Sequence, residues 1–245
     1  MKIGAVIQAR MSSTRLPGKV LKELPYGSGI TVLEQIIDRL KKSKRLDDIV
    51  VATSTKKDDD EIVRIAKRKK VKYLKGSLDN VLSRYYLASK KYHLDLIVRI
   101  TGDCPCVDPA LIDSFIKIHI KKRADYTSNT VKRSYPRGLD VEVFNFSALE
   151  KAHRNAGRDY EREHVTPYFY KNPRLFKIVN VKSPRAVYGP DIRITLDTEE
   201  DYTLLSLVYG YLYRKNRVFT TKEIASLFKK KPLLKLVNKE VIQKR

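Results

Sequence analysis

Near the start of the chain, Gln8-Ala9-Arg10-Met11-Ser12-Ser13-Thr14-Arg15-Leu16-Pro17-Gly18-Lys19 gathers arginines, a lysine, hydroxyls and a glycine in one short stretch. Such a loop suits a polyphosphate. Arginine grips phosphate oxygens through paired hydrogen bonds, lysine adds a point charge, and a turn leaves backbone N–H groups free to point at an anion. The GxxxxGK[ST] spacing of a Walker loop is absent, and a basic surface loop is the other reading. A second group, Arg99-Ile100-Thr101-Gly102-Asp103-Cys104-Pro105, places Asp103 directly after a glycine. A hard carboxylate near a phosphate loop is a natural Mg²⁺ ligand, whereas a cap for a helix opening at Pro109 is the plainer alternative. A third group is Arg193-Ile194-Thr195-Leu196-Asp197-Thr198-Glu199-Glu200-Asp201. There Asp197 is either a second metal ligand or a helix cap beside Thr198.

Three weaker groups accompany these. Gly76-Ser77-Leu78-Asp79-Asn80 is a loop entering a helix and could hold a base or ribose. Pro136-Arg137-Gly138-Leu139-Asp140-Val141-Glu142 places Asp140 and Glu142 on one face of a strand. Glu161-Arg162-Glu163-His164 reads equally as a charged helix face with a structural histidine.

The elements that must position these groups alternate. Apolar runs at 2–7, 48–53, 71–74 and 94–101 suit buried parallel strands. Helical spacing appears at 30–40, 59–69, 78–92 and 109–121, with Pro109 near a helix start. Strand–helix alternation predicts a parallel sheet built from right-handed crossovers, with ligands beyond the carboxyl ends of its strands. After residue 125 the pattern is less regular. An alternating, exposed-face strand is expected at 138–144, helices at 147–154 and 159–170, a strand at 192–196, and helices at 199–213 and 220–228. The exposed strand could support a homodimer. With no repeat or flexible linker, the prediction is one α/β domain over 1–245, a doubly wound, mostly parallel sheet, with a basic helical extension at 215–245.

Composition narrows the function classes. Lys and Arg number 51 against 28 Asp and Glu, a net charge of +23, but the basic residues spread along the whole chain. A nucleic-acid role is therefore the less favoured explanation. No apolar run approaches the ~20 residues that span a bilayer, and MKIGAVIQAR reads as a first strand rather than a signal peptide. Cys104 and Cys106 sit two apart, which favours free thiols in a reducing cytoplasm over a disulfide or a zinc site.

Gln8-Ala9-Arg10 with Ser13-Thr14-Arg15-Leu16-Pro17-Gly18-Lys19 resembles the nucleotide-binding loop of sugar-activating cytidylyltransferases. The match is to the spore-coat polysaccharide cytidylyltransferase-like family, related to CMP-ketodeoxyoctonate and CMP-sialate synthetases. Gly76-Ser77 with Asp79, Gly102-Asp103-Cys104-Pro105, Pro136-Arg137-Gly138 with Asp140, Glu163-His164 and Leu196-Asp197-Thr198 follow in the family's order, over residues 3 to about 204. The resemblance implies a nucleotide-diphospho-sugar transferase fold, CTP as co-substrate and Mg²⁺ as cofactor. It implies that Arg10 and Lys19, assisted by Arg15, hold the triphosphate in the loop opened by Gln8 and Ala9. Asp103, beside Gly102, and Asp197 would bind Mg²⁺. Gly76, Ser77 and Asp79 would lie near base and ribose, and Arg137, Asp140, Glu163 and His164 would line the acceptor side. The stretch 205–245 has no counterpart that the resemblance places, and Cys106 stands where a larger aliphatic residue is expected. The implied reaction passes CMP to an anionic sugar or a phosphorylated small molecule. A uridylyl- or guanylyltransferase is the nearest alternative, a basic nucleic-acid-binding protein the distant one.

Overall fold

The computed structural model describes residues 1–184 and 189–243. Seven strands form one sheet: β1 (Ile3–Gln8), β2 (Asp48–Ser54), β3 (Lys72–Gly76), β4 (Leu96–Thr101), β5 (Tyr126–Ser128), β6 (Glu142–Asn145) and β7 (Ile178–Asn180). Their spatial order is β3-β2-β1-β4-β6-β5-β7. The pairs β1/β2, β2/β3, β1/β4 and β5/β7 are parallel, while β6 runs antiparallel to β4 and β5. Helices α1 (Val32–Leu40), α2 (Asp60–Arg68), α3 (Val81–Lys91) and α4 (Pro109–Lys122) come first. They are followed by α5 (Phe146–Asn155), α6 (Asp159–His164), α7 (Pro167–Lys171), α8 (Glu199–Leu212) and α9 (Thr221–Lys230).

Strand β1 has helices over both faces, which is why its sequence is apolar without alternation. Ile3, Ala5 and Ile7 face a core built with α1, α2, α4, α8 and α9, and Val6 faces a second core built with α3, α5 and α7. In α1 the spaced residues Val32, Leu33, Ile36, Ile37 and Leu40 are all buried. Its start is set by Thr31, whose hydroxyl accepts from the Glu34 N–H while the Glu34 carboxylate accepts from the Thr31 N–H. The chain builds outward from β1 through β2 to β3, then returns to place β4 on β1's other side. That reversal opens a crevice beyond the carboxyl ends of β1 and β4, where Gln8 and Thr101 are register partners.

Three expectations change. The strand expected at 138–144 is only Glu142–Asn145, and it lies inside the sheet between β4 and β5. Val143 and Phe144 enter opposite cores, so the exposed strand on which a dimer was expected is absent there. Residues 192–196 are not a strand. Ile192, Ile194 and Leu196 are buried, which produces the alternation, but the Ile194 and Leu196 N–H groups donate to Arg137 and Asp103 carbonyls rather than to a ladder. The helix expected at 159–170 breaks at Val165, where φ is 70°, ahead of Pro167. Strands β5 and β7, three residues each, carry too little pattern to be legible. The extension expected at 215–245 consists of α9 and a 3₁₀ turn at Pro232–Leu236, with Leu227, Phe228 and Leu234 in the first core. Residues 244 and 245 lie outside the described residues.

Gly138 has φ of 102°, and a β-carbon there would stand 2.4 Å from the Ile194 carbonyl oxygen and 2.8 Å from the Thr195 nitrogen. Gly138→Ala must therefore shift the backbone that leads into Asp197. Left-handed strain alone costs on the order of 1–3 kcal/mol, and each kcal/mol moves the midpoint about 2–4 °C in a chain of this size. A calorimetric melt is expected to fall by several degrees, and an unchanged Tm would contradict this packing.

Candidate active site

The loop after β1 is held from both ends. Asp59, buried at the head of α2, accepts the Met11 N–H at 2.7 Å and is itself fixed by the Ser54 N–H and hydroxyl. Gly18, with φ of 66°, turns the chain, and its N–H donates to the Met11 carbonyl. The turn delivers Lys19 into the crevice. Gly102 fits closely opposite: a β-carbon there would sit 3.0 Å from the Gln8 carbonyl oxygen and 3.2 Å from the Ala9 β-carbon, so its neighbours would have to give.

The three main groups converge. Lys19 Nζ donates to Asp103 Oδ2 at 3.1 Å, to Asp197 Oδ1 at 2.9 Å and to the Leu196 carbonyl at 2.8 Å. The other oxygen of Asp103 accepts from the Thr101 hydroxyl at 2.5 Å. The other oxygen of Asp197 faces Arg15 Nη2 at 3.0 Å and Arg193 Nη2 at 2.9 Å. An ammonium thus stands between two carboxylates that are 84 and 178 residues away in sequence. A cleft of about 290 Å³ opens over them, lined by Gln8, Ala9, Arg10, Arg15, Lys19, Gly102, Asp103 and Asp197, and by Glu163 and His164. Arg10 spans to Glu163 at 3.6 Å, with side chains 38% and 49% exposed. An ion pair that exposed contributes little, so Arg10 can be released to a ligand at small cost.

Other expected residues lie elsewhere. Gly76 ends β3 and Ser77 accepts the Asn80 N–H, and neither they nor Asp79 line the cleft. Gly76 instead makes room for Arg84, since a β-carbon there would stand 2.9 Å from Arg84 Cγ. Asp140 is held by Arg133 through two bonds of 2.5 and 2.9 Å, and Arg137 is half-buried beside that pair; neither lines the cleft. Sequence reasoning missed Arg84, a cleft-lining guanidinium that is 1% exposed and whose Nε has no hydrogen-bond partner. Its only sequence signal is a charge on the buried face of α3. Gln243, which also lines the cleft, was likewise missed, because nothing local marks it.

Charge states follow from these contacts. Burial pushes the Asp103 carboxyl up, but the Lys19 charge and hydrogen bonds from Thr101, Lys19 and Cys104 outweigh it and hold it at about 2. Burial pulls Lys19 down, and the Asp103 and Asp197 charges more than reverse this. Burial lowers the His164 imidazole, with Glu163 opposing and the Arg99 and Arg10 charges adding to the shift. Burial raises both thiols, Cys106 to about 12 and Cys104 well above its ordinary value, so neither is a ready nucleophile. A carboxylate depressed in the fold stabilises above its unfolded pKa and loses that contribution as pH falls through the folded value. The Tm deficit of Asp103→Asn relative to wild type is therefore expected to be full at pH 5–7 and to shrink between pH 4 and 2, measured by circular dichroism. A deficit that stays constant to pH 2 would contradict the ionised Asp103.

The donor chemistry fits a divalent cation. Two hard carboxylates already hold one cationic group between them, and among the described residues no cluster of three or more His, Cys, Asp or Glu ligands exists. A site of one or two carboxylates completed by phosphates and water is the Mg²⁺ pattern.

Comparison with known proteins places the chain among relatives. The chain is 43% identical over 244 residues to an uncharacterized protein of Methanocaldococcus jannaschii, covering 100% of this chain and 97% of the relative. It is 34% identical to the spore coat polysaccharide biosynthesis protein SpsF of Bacillus subtilis, covering 93% and 94%. A solved cytidylyltransferase from Leptospira borgpetersenii superposes with a TM-score of 0.89 at 36% identity, covering 100% of both chains. The stretch 205–245, which the motifs could not place, lies within the Methanocaldococcus and Leptospira matches. The family model described as cytidylyltransferase matches residues 5–244, and the chain belongs to that family.

Proposed function

We propose that this chain is a Mg²⁺-dependent cytidylyltransferase that passes CMP from CTP to an anionic sugar or phosphorylated small-molecule acceptor and releases pyrophosphate. The observation that carries this reading is the single Lys19 ammonium shared by Asp103 and Asp197 beneath the loop bearing Arg10 and Arg15. Arg10, Arg15, Lys19 and the loop N–H groups would bind the triphosphate, with Arg84 and α3 toward the nucleoside. Asp103 and Asp197 would hold Mg²⁺, which when bound supplies charge neutralisation and Lewis-acid activation at the phosphates.

On binding, Lys19 and Arg15 exchange carboxylate for phosphate oxygens, freeing the two acids. Glu163 and His164 would orient the acceptor, while Arg137 and Asp140 lie outside the cleft lining. An acceptor oxygen attacks the α-phosphorus of CTP as the bond to the pyrophosphate oxygen breaks. A phosphate or carboxylate acceptor arrives ionised and needs no base. A hydroxyl acceptor would need a base, and His164, which lines the cleft and whose imidazole is lowered by burial, could take its proton. Positioning and electrostatic stabilisation supply most of the acceleration. Four cations, Arg10, Arg15, Lys19 and Arg84, line the cleft against the carboxylates Asp103, Glu163 and Asp197, an excess that supports anionic substrates, and a cytoplasmic setting matches the supply of CTP.

The test is pyrophosphate release from CTP, UTP or GTP with Mg²⁺ across a panel of keto-sugar acids, sugar phosphates and polyol phosphates, with product mass read by spectrometry. Turnover with CTP and one anionic acceptor is expected. Turnover with UTP or GTP but not CTP would replace the nucleotide assignment.

A further inference from the structure

Asp201 is the most enclosed carboxylate near the cleft, with no exposure. It is not required as the cap of α8, because Thr198 fills that role by accepting the Asp201 N–H. Its oxygens are fully used. Oδ1 accepts from Arg193 Nε at 2.8 Å and from Asn238 Nδ2 at 2.7 Å. Oδ2 accepts from Arg193 Nη2 at 2.8 Å and from the backbone N–H of Asp197 at 2.9 Å. The same Arg193 Nη2 donates to Asp197 Oδ2 at 2.9 Å. Asp201 therefore grips Asp197 twice, once by its main chain and once through Arg193.

A buried ion pair is weak evidence of stabilisation, because desolvation offsets the attraction. Orientation is what this arrangement supplies. Of the three cations on Asp197, Lys19 and Arg15 line the cleft and are the ones that phosphates would draw away. Arg193 does not line the cleft and is tied behind by Asp201. It is the counter-charge that stays when the other two leave.

The chain's far end is built into the same cluster. Asn238 is 5% exposed and donates both to Asp201 and, at 3.1 Å, to the Arg193 carbonyl. Gln243 accepts from Arg193 Nη1 at 2.7 Å, and the Ile242 carbonyl accepts from Arg15 at 3.3 Å. Leu234 in the core anchors this segment.

We infer that Asp201 and Asn238 are positioning residues for Asp197, and that the segment 234–243 completes the catalytic site rather than merely covering it. The inference rests on Asp197 serving as a metal ligand in the proposed reaction. It is tested in the full chain with Asn238→Ala, Asp201→Asn and, as a reference, Asp197→Asn. Mn²⁺ affinity is read by electron paramagnetic resonance with a non-hydrolysable CTP analogue, beside kcat, KM for CTP and Tm. Asn238→Ala is expected to weaken Mn²⁺ binding and lower kcat about tenfold, leaving KM for CTP within about threefold. Asp201→Asn is expected to lose more, and if it does not fold, Asn238→Ala carries the test alone. A lower Tm for Asn238→Ala with unchanged Mn²⁺ affinity and kcat would reduce the cluster to packing and overturn the inference. Unchanged Mn²⁺ affinity in Asp197→Asn would overturn the metal assignment beneath it instead.

Discussion

Asp103→Asn is expected to cut turnover by at least tenfold, and on the order of a hundredfold, a barrier increase of ~2.7 kcal/mol. Asn preserves shape and can still accept from the Thr101 hydroxyl, so the loop after β4 keeps its course. What disappears is the charge. Asp103 is depressed to about 2, so at neutral pH the wild-type group is fully ionised and its charge is available to a cation throughout the working range. Charge neutralisation at a preorganised site is commonly the largest single contribution to catalysis, and it is this contribution the substitution removes. The assay is pyrophosphate release at saturating CTP and Mg²⁺, with circular dichroism to establish that the variant is folded. Release near the wild-type rate from a folded Asp103→Asn protein would refute the site.

Lys19→Met is expected to be as damaging and to show a second signature. Methionine fills similar space but leaves Asp103 without its ion-pair partner, since no other ion pair to Asp103 occurs among the described residues. Asp197 fares better, because Arg15 and Arg193 remain beside it. A partly buried carboxylate facing a second one is penalised unless a cation enters or one of them protonates. The variant should therefore melt below wild type, and millimolar Mg²⁺ or Mn²⁺ without nucleotide should restore part of the loss by binding the folded state. Wild type, with the ammonium already in place, should gain little from the same ion. Turnover should fall at least tenfold, because the triphosphate loses its lysine. Equal melting responses of the two proteins to the divalent ion, or near-normal turnover, would show that Lys19 does not occupy the cation position.

The motifs around the first and fourth strands were legible because each is local. An apolar run buried on both faces, followed at once by Arg, Ser, Thr, Pro and Gly or by Gly-Asp, marks a strand end and the loop beyond it. Asp103, Lys19 and Arg10 were found that way, whereas Asp197 was found behind the alternation at 192–196, which is not a strand. Burial periodicity misled at 192–196, because Ile192, Ile194 and Leu196 alternate into a core without joining a ladder. It misled again at 138–144, where Pro136 and Gly138 delay the strand until Glu142. Gly76 was noticed as a possible nucleoside contact, whereas its small size serves the buried Arg84.

By itself the sequence determined the alternating α/β architecture, and it singled out the loop after β1 and the two carboxylates, Asp103 and Asp197, that the fold brings together. It could do so because strand burial, turn geometry and ligand chemistry are written within a few neighbouring residues. Only the tertiary structure decided that Lys19, Asp103 and Asp197 meet around one ammonium, that Asp140 is spoken for by Arg133, and that Asn238 reaches back to the Arg193–Asp201 pair. Those meetings depend on strand order and on which helix crosses which face, and side chains far apart in the chain leave no periodic trace of each other.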